Sequence, residues 1–137
     1  TKEHRNGRVL FLLWQGLAMY IAHTQKRYLF GCCSLTSQDP DEGKRVMDYL
    51  EAKGCLHPDF QVSPLPGLAC YPPGFTASST EKVKIPRLFR TYLNYGAKVC
   101  STPVIDRMFK TIDYLVILDI NKLEKQTYRL FFDGLRK

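Results

Sequence analysis

Arg5 and Arg8 flank Gly7 directly ahead of a stretch with helical periodicity, and this is where the sequence offers the most definite chemistry. The first turn of a helix presents backbone N–H groups without intrahelical acceptors, together with a partial positive charge, and both attract phosphate. Two guanidinium groups add formal charge. A glycine lets an anion approach the backbone with no side chain in the way. Arg5, Gly7 and Arg8 are therefore the candidate phosphate-binding residues. The alternative is a solvated, frayed terminus, because one glycine and two arginines before a helix are a common combination.

Other reactive residue types offer less. Cys32, Cys33, Cys55, Cys70 and Cys100 share no repeated spacing, so neither a disulfide framework nor a metal knuckle is indicated. The Cys32, Cys33 pair lies in an apolar run and reads as buried strand filler. The three histidines are scattered, and no metal is expected. His57 and Asp59 read as ordinary loop residues. Unpaired thiols fit a reducing, cytoplasmic setting.

The elements that would position these groups follow from periodicity. Residues 8 to about 24 read as a helix with Val9, Leu12, Leu13, Leu17, Tyr20 and Ile21 on its apolar stripe and Gln15, Ala18 and His23 on the other side. Residues 28–34 are aromatic-rich and almost uncharged, which suggests a buried strand. Asp39, Pro40 and Glu42 carry the spacing of a capping box for a second helix that Gly54 can stop. Residues 55 to about 80 hold five prolines and no periodicity, and read as a long irregular loop. A short helix over 86–95 precedes two strands, 97–105 and 114–120. The connector between them allows an antiparallel pair, with Pro103 placing the first strand at an edge or at a bulge. Asn121 and Glu124 repeat the capping-box spacing before a last helix bearing Leu123, Leu130 and Phe131.

With 137 residues, the chain is expected to form one domain with a modest core. The longest apolar run is far too short to span a bilayer, which takes about 20 residues. A formal charge of +7 favours anionic partners: an anionic lipid, a phosphorylated cofactor or an acidic carrier protein. Seven Lys/Arg against two acids fall within 81–110, so part of that charge is clustered. Nucleic acid is not expected, because neither an aromatic-glycine RNA-binding signature nor zinc-finger spacing accompanies the bases.

Several segments in order resemble one family. His4-Arg5-Asn6-Gly7-Arg8-Val9 followed by Leu12-Leu13-Trp14-Gln15-Gly16-Leu17-Ala18 is similar to part of the GNAT-type ornithine-lipid N-acyltransferases, often labelled hemolysins. Tyr28 to Ser34 and Asp39-Pro40 continue the likeness. Tyr92-Leu93 with Gly96-Ala97 looks like a family motif, and Asp106, Phe109, Thr111 and Asp113 match its Asp-x-x-Phe-x-Thr-x-Asp signature. What this implies is an α/β (α+β) fold: the carboxyl-terminal half of a GNAT-like acyltransferase, with a mixed sheet, flanking helices and a final antiparallel strand pair. The chain would be a single partial domain, 1–137.

The resemblance also implies chemistry. Such proteins move a 3-hydroxyacyl group from acyl carrier protein to the α-amine of ornithine, making a lyso-ornithine lipid. Arg5, Gly7 and Arg8 would hold the phosphate of the donor's phosphopantetheine arm, or of coenzyme A, with no tightly bound cofactor. The expected base would lie before Thr1, so the chain alone is expected to be inactive. Asp106, Phe109, Thr111 and Asp113 would be a signature whose role the residues leave open between a turn-stabilising interaction and substrate contact. A truncated sheet with an open edge predicts a homo-oligomer or a domain-swapped dimer. Peripheral contact with the inner membrane is a further expectation. The alternative function is a non-catalytic module that docks acyl carrier protein or anionic membrane through Lys82, Lys84, Arg87 and Arg90. A membrane-damaging hemolysin is the least favoured, since neither spans nor barrel repeats are present.

Overall fold

The computed structural model describes residues 2–4 and 6–133. They fall into two compact units, one from 1–29 with 119–137 and one from 30–118.

The first unit is built on helices α1 (Gly7–Thr24) and α4 (Lys125–Phe132). Asn6 caps α1 by accepting the Val9 amide at 2.9 Å, and Gln25 ends it in a left-handed conformation. Ala18 and Ile21 are buried, while Phe11 and Trp14 set their rings 5.9 and 5.8 Å from that of Phe131 on α4. The inward face is thus Phe11, Trp14, Ala18 and Ile21, of which Ile21 alone belongs to the expected stripe. Leu12, Leu13 and Tyr20 are more than half exposed, and Ala18, assigned to the less apolar side, is the most buried residue of the helix. With apolar side chains almost all round α1, periodicity does not select a face; the two rings that meet Phe131 do.

At the other end of this unit, Arg27 grips Asp119 through Nε and a terminal nitrogen, both at 3.0 Å. Asp119 also accepts the Asn121 amide at 3.0 Å and so caps a 3-10 turn over Ile120–Lys122. The capping box expected at Asn121 and Glu124 is not formed, because Asp119 already caps the preceding turn. Glu124 stands at the N-cap of α4 with no side-chain hydrogen bond, and Leu130 is half exposed while Phe131 and Phe132 are buried.

The second unit carries most of β1 (Tyr28–Leu35), then α2 (Pro40–Ala52), α3 (Arg87–Asn94), β2 (Lys98–Val99), β3 (Val104–Asp106) and most of β4 (Thr111–Asp119). The sheet runs β1-β4-β2, with β3 also on β4. β2 and β3 are both antiparallel to β4, pairing Val99 with Val116 and Asp106 with Thr111. This is the α+β class expected, with the expected antiparallel pair, and it is compatible with a portion of a GNAT-like fold. The single strand expected over 97–105 is broken in two. Pro103 has no N–H for a ladder, and it is fully buried where the Cys70 amide meets its carbonyl at 3.0 Å.

On β4, Ile112, Tyr114 and Val116 alternate inward and join Cys33, Leu35, Val46, Leu50 and Phe89 in the core. Tyr114, wholly buried, donates its hydroxyl to the Gly43 carbonyl of α2 at 2.6 Å and packs its ring 5.5 Å from Phe89. Gly43 is a close approach, since a Cβ there would lie 2.8 Å from Cys70 Sγ. At the start of α2, Asp39 accepts the Asp41 amide while its own amide donates to the Ser37 hydroxyl. That occupies the amide Glu42 would have reached, so the expected reciprocal box is absent here too. Gly54 takes the left-handed stop at φ +69°.

β1 is less buried than expected. Only Cys33 and Leu35 are buried; Cys32 is exposed and Phe30 is 76% exposed. Successive strand residues face opposite ways, and one face of β1 packs on the core while the other lies open. The 55–80 segment holds no helix or strand and is tied down by isolated bridges such as Leu56 to Val99 and Val62 to Ser101. His57 is buried in it, its Nδ1 accepting the amides of Asp59 and Phe60 at 3.0 and 2.9 Å.

Candidate functional site

Arg5 lies outside the described residues. Gly7 and Arg8 are the first two residues of α1, and both are exposed. Asn6 takes the third amide of the helix with its side chain. The amides of Gly7 and Arg8 are those that helix geometry leaves without an intrahelical acceptor. An exposed N-terminal turn with a guanidinium on its second residue is able to hold a phosphate group, through amides first and Arg8 second.

The four signature residues gather where β3 turns into β4, but they do different things. Asp106 Oδ1 accepts the amides of Met108 and Phe109 at 3.0 and 2.9 Å, which folds the chain into the turn. Lys110 completes it at φ +58°, a conformation uncommon outside glycine. The Phe109 ring is 75% exposed. Gln38 braces the hairpin mouth, donating through Nε2 to the carbonyls of Asp106 and Thr111 at 3.1 and 3.0 Å.

Thr111 and Asp113 face away from the core. Thr111 Oγ1 donates to Asp113 Oδ1 at 2.8 Å, and Ser34 Oγ on β1 donates to the same oxygen at 2.7 Å. Among the described residues, no cation lies within ion-pair distance of Asp113. Cys32 shares this face; burial first and the Asp113 charge second push its thiol up. Ser34 was missed in the sequence because its partner is 79 residues away, and no local spacing signals a cross-strand pair.

A second polar node joins α2 to the loop. The Asp41 carboxylate accepts the Ser78 amide and hydroxyl, the Ser79 amide and Arg45 Nε. The Ser78 amide first, with the other donors, holds that carboxyl below the usual carboxylate range. Beside it lies an open cleft of about 600 Å³ lined by Lys44, Arg45, Tyr49, Phe75 and Val83, among others. None of Gly7, Arg8, Asp106, Phe109, Thr111 and Asp113 lines it. Lys82 and Lys84 are exposed on the segment leading into α3, and Arg87 and Arg90 are exposed on α3 itself.

Among the described residues, no three His, Cys, Asp or Glu side chains are grouped to hold a metal ion. No helix there is long and apolar enough to cross a membrane.

No family model matches the chain, and no solved structure matches it. Two curated proteins do. The L-ornithine N(alpha)-acyltransferase of Rhizobium meliloti (strain 1021) is 30% identical over 125 residues, covering 88% of this chain and 42% of that protein. The L-ornithine N(alpha)-acyltransferase of Brucella abortus (strain 2308) is 27% identical over 128 residues, covering 90% of this chain and 46% of that protein. The chain thus spans less than half the length of these relatives. Along about nine-tenths of its length the chain is similar to these L-ornithine N(alpha)-acyltransferases, which supports that family as a partial-length match.

Proposed function

We propose that this chain is part of an acyltransferase that joins a 3-hydroxyacyl group, carried on acyl carrier protein, to the α-amine of ornithine. The observation that carries the proposal is the likeness to two ornithine N(alpha)-acyltransferases along about nine-tenths of the chain. The exposed start of α1 supplies the matching chemistry. Its free amides and Arg8, with Arg5 beside them in sequence, suit the phosphate of a phosphopantetheine arm.

In the reaction, the uncharged amine nitrogen attacks the thioester carbonyl carbon. The N–C bond forms, the C–S bond breaks, and the nitrogen's surplus proton ends on the departing thiol. The developing oxyanion needs backbone or side-chain donors, and the incoming amine needs a proton acceptor.

Binding of acyl carrier protein tests the donor half. Charge reversal at Arg5 and Arg8 is expected to weaken it about tenfold or more. Reversal at Lys82, Lys84, Arg87 and Arg90 should weaken it less and more uniformly with salt. The opposite ranking would favour the docking-module alternative. Turnover of hydroxyacyl carrier protein and ornithine by the 137-residue chain is expected to be absent. Clear catalysis would overturn the assignment of the base to a segment outside it.

A further inference from the structure

We propose that Asp113, oriented by Ser34 and Thr111 on the open face of the β1–β4 sheet, holds the side-chain ammonium of the ornithine acceptor. The proposal rests on the acyltransferase reading and names the residue that selects its amine substrate.

Both hydroxyls donate to one oxygen of Asp113, Oδ1, at 2.7 and 2.8 Å. Two fixed donors on a single oxygen restrain the carboxylate from both strands, and Oδ2 has no hydrogen-bond or ion-pair partner among the described residues. Asp41, Asp48 and Asp119 each meet a cation. Asp113 is instead held by neutral groups, which orient a carboxylate without neutralising it. An oriented, uncompensated carboxylate is a receptor for an ammonium group.

The surroundings suit an alkyl chain. Leu115 and Ile117 follow Asp113 on the same face of β4 and are partly exposed, and Phe30, on the same face of β1 as Ser34, is 76% exposed. The two nitrogens of an extended ornithine lie about 6 Å apart. One two-residue repeat of a strand is about 6.7 Å. An ammonium on Asp113 therefore lets the methylenes lie along the apolar strip and sets the other nitrogen near the level of Leu115.

Which nitrogen Asp113 holds follows from the chemistry. A carboxylate that binds an ammonium favours its charged form, and a protonated amine cannot attack a thioester. Holding the side-chain ammonium leaves the α-amine to react. Asp113 is thus a positioning residue for the acceptor, not its base.

The test is an amide-resolved NMR titration of the 137-residue chain with L-ornithine. The expected result is binding on the order of 1 mM, with shifts centred on Ser34, Thr111, Asp113 and Leu115. Asp113→Asn keeps an oxygen for both hydroxyls, so the fold should hold, and it should weaken binding about tenfold or more. Ser34→Ala with Thr111→Val should weaken it less, and Asp59→Asn, in the exposed loop, should leave it unchanged. 2-Aminopentanoate, which lacks the side-chain ammonium, should not compete. Ornithine binding that Asp113→Asn leaves intact overturns the proposal and spares the acyltransferase reading. Asp113-dependent binding of 1,4-diaminobutane or lysine without ornithine keeps the cation site but overturns ornithine as the acceptor. No binding of any of these cations overturns the proposal outright.

Discussion

Replacing Tyr114 by phenylalanine isolates one hydrogen bond at the centre of the second unit. The ring of Tyr114 is fully buried against Phe89, and its hydroxyl donates to the Gly43 carbonyl at 2.6 Å. Burial pushes the phenol well above its ordinary range, which favours the neutral, donating form. The phenylalanine variant keeps the ring packing and loses only the donor. Gly43 lies inside α2, where its carbonyl also serves the helix ladder, so no orphaned acceptor is left. The expected cost is about 1 kcal/mol. Tyr114→Ala, which also empties the ring's volume, should cost about 3–5 kcal/mol. In urea, where the slope for a small protein is about 1–3 kcal/mol/M, the phenylalanine variant should shift the midpoint by roughly 0.5 M. Asp113 and Tyr114 face opposite ways on β4, so ornithine binding should be unaffected. A phenylalanine variant as stable as the parent, or as unstable as the alanine variant, would show that the contact is not the one described.

Three further outcomes are expected. The Asp119 carboxyl is held below the usual carboxylate range, chiefly by its hydrogen bonds from Arg27. Its contribution to stability is present above the unfolded value of about 3.9 and is lost as pH falls through the lower folded value. Asp119→Asn should remove that part of the acid sensitivity, and an unchanged stability-versus-pH curve below about pH 5 would contradict this. Among the cysteines, Cys32 is exposed, whereas burial pushes Cys33 up to about 12 and Cys70 up to about 11. Native-state alkylation followed by peptide mapping should label Cys32 well before Cys33 or Cys70; equal rates for the adjacent pair would count against the strand orientation. The exposed leucines of α1, Leu12 at 56% and Leu13 at 66%, should drive self-association. Sedimentation should show oligomers that Leu12→Glu with Leu13→Glu disperses, and a clean monomer of the parent chain at high concentration would refute the idea.

Much of the secondary structure is legible in the residues, because its causes are local. Asp39 and Pro40 start α2 and Gly54 stops it, through capping and backbone preferences that act within one turn. Pro103 interrupts the strand it sits in for a reason internal to proline. The prolines of 55–80 exclude regular structure by themselves. What was not legible is which side of each element is buried and which distant groups meet. α1 carries apolar residues on nearly every side, so only its packing on Phe131 chose Phe11, Trp14, Ala18 and Ile21 over Leu12 and Leu13. β1 looked uniformly apolar, yet Cys33 went inward and Cys32 outward, since the core covers one face of the strand. The two capping boxes failed because Ser37 and Asp119, residues outside the motif, took the roles first.

The candidate acceptor site divides the same way. Asp106, Phe109, Thr111 and Asp113 are adjacent in sequence, and the turn that Asp106 makes is a local matter of a short side chain meeting amides two and three residues on. The grip of Ser34 on Asp113 is not, because it depends on β1 lying beside β4, a pairing set by tertiary packing across 79 residues. Short-range sterics and hydrogen bonding act through neighbouring residues and are written in the sequence itself. The choice of buried face and of cross-strand partner is made by the whole core at once, and only the folded chain reveals it.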